Sequence, residues 1–387
     1  MVPKRTISID VSVVTEYRRL RYNWVDIAKV LNVNIRTLRR WVRATDFVEP
    51  LQRVTNEVLD HMISCYSNSN PPHLDEASTC GFLASTNVRC TRQELRDSLR
   101  RTDPDGILAR STRRIARRQY RVEGPYHLVH IDGHHKLIRY GMVTHGCIDG
   151  FSRVIMYLVT SNNNRATTQL NNFLQAMLIH GVPSRVRGDH GGENSLIAQW
   201  MIDHVGPNRH SFITGSSKHN TRIERLWRDY RDKVSSFYMS LFRHLEHEYG
   251  MDIENKRHMY TLQYMFLPRI NEHNGSFINS YNNHPLRTEN NRSPNRILMD
   301  AENNIPPPIE FDVAEYAELL NLNENPDIDD IPMVQLDPID CPLNDENLLL
   351  FKLNNKPLSM NDNGFDSILD RYTIALANIT LLCTLQG

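Results

Sequence analysis

The chain has 387 residues, 40% hydrophobic, 23% charged and 8% aromatic, with 19 Pro and 17 Gly. These are globular proportions, which exclude a wholly disordered or collagen-like chain, and the length predicts two or three domains. The 45 basic and 45 acidic side chains cancel, and that zero at first argues against a nucleic-acid partner. The pieces disagree. Residues 1–122 carry 22 basic and 13 acidic side chains, net +9; residues 123–300 carry 20 and 16, net +4; residues 301–387 carry 3 and 16, net −13. Such asymmetry within one chain signals a nucleic-acid or tail function. No stretch approaches the ~20 consecutive apolar residues of a membrane span. The start lacks the apolar core and cleavage site of a secretory signal, so a nuclear protein without a membrane partner is expected. Six scattered cysteines form no Cys-x-x-Cys pair, which points to reduced thiols.

Residues 11–21, 25–31 and 35–45 read as three helices, the last two separated by the polar break Asn32-Val33-Asn34. Leu38, Trp41 and Val42 of the third helix would face inward, and Arg36, Arg39, Arg40 and Arg43 outward. Two short helices across a tight turn, the second rich in Arg, is the helix-turn-helix pattern, whose second helix enters the DNA major groove. A three-helix bundle with a solvated basic face is the alternative. A second helical unit follows over 51–122, with helices at 57–66 and 80–84 and a turn at 87–90. Thr91-Arg92-Gln93-Glu94 is a capping box opening a helix to about residue 101, again a turn followed by a recognition-like helix. Residues 110–121 hold six Arg and no acid. Arg113, Arg114, Arg117 and Arg118 there suit an arm that contacts phosphates.

From residue 124 the texture becomes β. Strands are expected at 126–132, 142–149, 154–160, 184–188 and 211–214, and helices at 166–180, 195–205 and 221–249. The order β-β-β-α-β-α-β-α predicts an α/β domain with a mixed sheet. Residues 301–387 are acidic, with Pro306-Pro307-Pro308, an expected helix at 314–320 and a helix or strand at 374–385. Low local order is expected elsewhere in this tail, which would repel phosphate.

Three acids mark the domain. Asp132 closes the first expected strand, Asp189 follows the fourth, and Glu224 sits in the first turn of the long helix. Acids at the ends of adjacent strands and on a helix end can converge. Hard divalent cations take oxygen ligands, and two such ions clamp the attacking and leaving oxygens of an in-line phosphoryl displacement. Each acid also has a structural reading. Asp132 and Asp189 suit strand-end turns, and Thr221-x-x-Glu224 is a capping box. Arg228 and Arg231 share a helical stripe with Glu224, either facing DNA or in a salt-bridge lattice with Asp229 and Asp232. His134, His135, His190 and His219 lie near the acids, and Ser217, Lys218 and Asn220 fall in a loop that could touch substrate.

A strand-borne Asp, then Gly188-Asp189-His190-Gly191-Gly192-Glu193, then a helical Glu after 34 intervening residues resembles the DDE integrase core of retroviral integrases and related transposases. Asp132-Gly133-His134-His135-Lys136, Asp149-Gly150-Phe151-Ser152-Arg153, Ile223-Glu224-Arg225-Leu226-Trp227-Arg228-Asp229 and the distal Asn282-Asn283-His284-Pro285-Leu286-Arg287-Thr288 with Ser293-Pro294 resemble blocks of eukaryotic integrase-core proteins. The resemblance implies an RNase H-like core over 123–300 with a five-stranded mixed sheet, behind a helix-turn-helix over 1–50. It also implies 3′-end processing and strand transfer of DNA. Asp132, Asp189 and Glu224 would be catalytic and hold two Mg²⁺ or Mn²⁺ ions. Arg36, Arg39, Arg40, Arg43, Arg113, Arg114, Arg117, Arg118, Lys218, Arg228 and Arg231 would contact DNA. The implied partners are element ends, target DNA and further copies of the chain. The His-His-Cys-Cys zinc module of retroviral integrases is missing, so target recognition would follow transposases. Two rivals are a catalytically silent DNA-binding protein derived from a mobile element, and a nuclease of RNA–DNA hybrids, against which the helix-turn-helix argues.

Overall fold

Side-chain caps set where the first helices begin. In the computed structural model, which describes residues 9–69, 75–104, 122–206, 209–215, 220–302, 336, 338–362 and 364–386, α1 (Val11–Arg19) starts after Asp10, whose carboxylate accepts from the Ser12 N–H. α2 (Trp24–Val30) starts after Asn23 and α3 (Ile35–Ala44) after Asn34, each accepting from the first-turn amides. Such a cap contributes about 1 kcal/mol. α4 (Asn56–Ser69) precedes α5 (Glu76–Ser85), capped by Asp75, and α6 (Arg92–Thr102), where both halves of the Thr91–Glu94 capping box form.

The chain divides into two compact units. The first comprises Met1–Ser64, Asp75–Ser111 and Asn279–Ile297. Val14, Tyr17, Ile27, Leu38, Leu83 and Leu95 are buried in it. Trp41 and Val42 are only half-buried, because Trp41 packs its ring on Phe47 beside Trp24 rather than into the core. The distal motif of the sequence joins this unit. Ser280 Oγ donates to the Ser78 carbonyl at 2.9 Å, and Arg296 pairs with Asp26 at 2.6 Å and lies over the Tyr22 ring.

The second unit comprises Cys65–Leu74, Thr112–Ile278 and Leu298–Gly387. Its strands β1 (Val129–His134), β2 (Val143–Asp149), β3 (Ile155–Ser161), β4 (Val186–Gly188) and β5 (Phe212–Thr214) form one sheet in the order β3-β2-β1-β4-β5. β1, β2 and β3 are antiparallel neighbours, and β4 and β5 extend the sheet parallel to β1. The sheet is the expected mixed five-stranded α/β architecture. α7 (Ala166–His180) and α8 (Ser195–Val205) cover one face, where Val129, Ile131, Cys147 and Val186 pack with Phe173, Met177, Ile197 and Trp200. The expected long helix is α9 (Thr221–Tyr230), a π-helical turn (Arg231–Ser235) and α10 (Ser236–Glu248). α11 (Lys256–Asn283) contains Pro268, and α12 (Pro294–Glu302) follows.

The described residues from 338 onward contain two helices. α13 (Asp345–Asn354) and α14 (Phe365–Leu385) form an antiparallel pair in which Asn378 Nδ2 donates to Asn355 Oδ1 at 2.9 Å. Phe351, Leu358, Tyr372 and Ile379 are buried, and the Leu358 N–H donates to the Met265 carbonyl at 2.9 Å. Apolar residues at helical spacing outweigh the acidic average here. α14 is long and apolar enough to cross a membrane by length and composition. It carries Asp366, Asp370 and Arg371, and its Ile368, Leu369, Tyr372, Ala375 and Ile379 are buried in the unit. The helix expected at 314–320 lies outside the described residues.

Candidate active site

The site is built on the period-two alternation of β1. Val129 and Ile131 enter the core under α7 and α8. His130, Asp132 and His134 face the other way, toward α9. Asn220, just before α9, accepts from His130 Nδ1 and donates from Nδ2 to the Ile131 carbonyl at 2.9 Å. Trp227 Nε1 donates to Asp132 Oδ2 at 2.8 Å. The His134 ring stacks on Trp227, with centroids 5.0 Å apart, and its Nε2 lies 3.1 Å from Ser235 Oγ in the π-helical turn. Gly146, opposite Asp132 on β2, leaves room for the indole, since a Cβ there would come within 2.9 Å of it.

Asp132 does not close its strand as expected. β1 continues through Gly133 and His134, which pair with His145 and Thr144. On the other side β1 runs parallel to β4 in the register Val129↔Val186 and His130↔Arg187. Carried two residues on, that register sets Asp132 level with Asp189. The Asp189 carboxylate accepts from the Gly191 N–H at 3.1 Å and from Asn194 Nδ2 at 2.9 Å. The structural reading of Glu224 as half of a capping box fails. Thr221 already lies inside α9, Asn220 holds the cap position, and no side-chain cap bond forms. Glu224 instead lines a cleft of about 430 Å³ with Asp132, His135, Lys136, Arg228 and Arg231.

The acids sense one another. Burial, then the charges of Asp189 and Glu224, push the Asp132 carboxyl up to about 7 against the lowering effect of Trp227. Burial and Asp189 raise Glu224, and the same two causes raise Glu193. Burial holds His130 and His134 down to about 4, so both are neutral at pH 7. The donor set is all carboxylate oxygen, the chemistry that a hard divalent cation accepts. Crowded, partly desolvated carboxylates are the groups such a charge would relieve. In kind, then, Asp132, Asp189 and Glu224 fit Mg²⁺ or Mn²⁺. Their spacing is open: among the described residues no group of three or more His, Cys, Asp or Glu side chains is close enough to hold an ion.

Residues 119–304 match the family model of the integrase core domain. The chain carries an integrase core domain. Among solved structures it is similar to a chain of the simian T-cell lymphotropic virus intasome in complex with PP2A regulatory subunit B56 gamma. The identity is 14%, the match covers 62% of this chain and 74% of that one, and the TM-score is 0.34. Comparison with curated proteins finds no match.

Within the integrase core domain, Arg228 and Arg231 line the cleft beside Glu224. Arg231 also pairs with Asp232 at 2.9 Å and Arg225 with Asp229 at 3.3 Å, so part of the salt-bridge lattice exists as well. Arg228 is exposed with no ion pair among the described residues. Asp149 is structural, a buried carboxylate accepting from the N–H groups of Tyr126 and Ser152 at 2.9 and 2.7 Å. Ahead of the domain, Arg36, Arg39, Arg40 and Arg43 of α3 are exposed without ion pairs among the described residues. α6 lacks that free face, because Arg92 and Arg96 bind Glu76, Arg100 binds Asp97 and Arg101 binds Asp60. Arg113, Arg114, Arg117, Arg118, Ser217, Lys218 and His219 lie outside the described residues. Asn220 is not in reach of substrate as expected; it is 2% exposed and pinned to β1. The hydrogen-bond partners of the two acids, Trp227 and Asn194, carry no mark of that role in the sequence pattern beyond the place of the Trp one turn past Glu224.

Proposed function

We propose that the chain is a divalent-metal-dependent polynucleotidyl transferase that processes the 3′ ends of a mobile DNA element and joins them to target DNA. Asp132, Asp189 and Glu224 are its catalytic and metal-holding residues. The observation that carries the reading is the parallel pairing of β1 with β4, which runs to His130↔Arg187 just before Asp132 and Asp189, with Glu224 lining the cleft beside Asp132. Burial and neighbouring carboxylates disfavour the charge of Asp132 and Glu224, and a cation they serve would explain such acids. When bound, such ions activate the attacking oxygen and stabilise the leaving one in an in-line displacement.

The chain's own residues supply the rest. Trp227 donates to the Asp132 carboxylate and Asn194 to that of Asp189, and as neutral donors they add no positive charge beside either acid. Lys136, Arg228 and Arg231 line the same cleft and pair with phosphate oxygens of a strand laid in it. The neutral His134 adds no competing charge. The guanidiniums of α3, unpaired among the described residues, bind the duplex, with α3 in the major groove. Two DNA ends must be handled together, so by analogy the working form is a multimer.

One observation favours a second reading, a DNA-binding protein that no longer cuts: the open spacing of the acids. Incubating the full chain with a duplex of the element's terminal repeat and Mg²⁺ separates the two. The first reading expects joined products from wild type and none from Asp189→Asn. DNA binding without products from wild type favours the second.

A further inference from the structure

We infer that Trp227 is a positioning residue for metal binding, an inference that rests on the proposed metal-dependent reading of the same site. Its indole N–H donates to Asp132 Oδ2 at 2.8 Å. Indole suits this task for three reasons. It is donor-only and neutral, so it fixes one oxygen without cancelling the charge a cation needs, as Arg or Lys would. It is rigid, with two side-chain torsions. And it is wedged: Trp227 is 6% exposed, the His134 ring stacks on it, and the bare Gly146 backbone lies against its edge. His134 is held in turn by Ser235, which the π-helical turn brings beneath it. A π-helical turn within a long helix is often found at functional sites.

The placement on α9 matters as well. Trp227 follows Glu224 by three residues, so one helical face carries both an acid of the cleft and the donor that orients another acid. The helix therefore fixes Glu224 and Asp132 relative to each other through a single rigid element. Outer contacts of this kind, which orient a ligand without touching the ion, typically change metal affinity by about 10–100-fold when removed.

The test uses the full chain and Mn²⁺ as the probe, with free Mn²⁺ followed by paramagnetic resonance. Trp227→Phe keeps the stacked ring and removes the N–H. The expected result is at least a tenfold weaker Mn²⁺ affinity with unchanged helical circular dichroism. Asp132→Asn controls the underlying reading. If wild type binds no Mn²⁺, or Asp132→Asn binds it equally well, the metal-dependent reading falls and this inference with it. If wild type binds, Asp132→Asn does not, and folded Trp227→Phe binds as wild type does, only the role of Trp227 is overturned. Should Trp227→Phe fail to fold, the wild-type protein decides. One of the four tryptophan indole N–H resonances is expected to shift on adding Mg²⁺ and to move in Asp132→Asn. Four unmoved resonances contradict the inference.

Discussion

Asn220 Nδ2 donates to the Ile131 carbonyl at 2.9 Å while its Oδ1 accepts from His130, so a single side chain ties the start of the helix that bears Glu224 to the strand that bears Asp132. Asn220→Ala removes both bonds in a buried place. A loss of about 1–3 kcal/mol of stability is expected, measured by urea unfolding. DNA joining should fall further than that loss accounts for, since Glu224 loses its anchor. Asn220→Asp keeps an acceptor for His130 but no donor for Ile131, and should recover only part of either quantity. Unchanged stability in Asn220→Ala contradicts the anchoring role.

The crowded carboxylates predict a stability signature. The Asp132 carboxyl is pushed up to about 7 by burial and by Asp189 and Glu224, so its ionised form costs stability when no cation is bound. Asp132→Asn should therefore melt higher than wild type in chelator. Adding Mg²⁺ at 100 times its Kd should stabilise wild type by about 2.7 kcal/mol and leave Asp132→Asn unmoved. The same Mg²⁺ shift in both proteins would count against the assignment.

α3 and α6 should differ in DNA binding although both follow a turn and carry several Arg. The α3 arginines are unpaired among the described residues, whereas Glu76, Asp97 and Asp60 neutralise those of α6. Arg39→Ala or Arg40→Ala should weaken duplex binding and reduce the slope of log affinity against log salt by about 1 for each phosphate no longer held. Arg96→Ala should leave that slope unchanged. A reduced slope in Arg96→Ala and none in Arg39→Ala would exchange the two helices' roles.

His273 makes the fold acid-sensitive. It is 1% exposed beside Tyr238, and burial followed by Arg269 holds it down to about 3. In the unfolded chain it protonates near 6.5. Above that pH both states are neutral and nothing is lost. Between pH 6.5 and about 3 only the unfolded state takes the proton, so stability falls as the pH drops, by up to about 1.4 kcal/mol per unit. Denaturant titrations at pH 7, 6 and 5 should show the decline, and a folded His273→Leu variant should make it shallower, the remainder coming from His130 and His134. Equal slopes in the two proteins would contradict this.

The elements were largely legible, the pairings between them less so. The helices expected at 166–180 and 195–205 occur as Ala166–His180 and Ser195–Val205, because Gly181 and Gly206 stop two strongly apolar periodic runs. The first strand was displaced. Gly133 reads as a turn residue, yet pairing with His145 carries the strand through it. Thr221-x-x-Glu224 reads as a cap, yet Asn220, held by β1, takes that position. The π-helical turn has no sequence signature. Trp227 and Asn220 meet β1 across about ninety intervening residues, so no local pattern announces them. The three acids were legible as candidates because strand, turn and helix each left a local mark beside them.

The most direct measurement is strand transfer in Mg²⁺ by Asp132→Asn, Asp189→Asn and Glu224→Gln, each compared with wild type on the same terminal-repeat duplex. Every one of the three is expected to abolish joining, to below about a thousandth of wild type on the scale of lost electrostatic catalysis, while duplex binding through α3 persists. Wild-type joining that survives any one of these substitutions would contradict the claim that the three carboxylates act as one site.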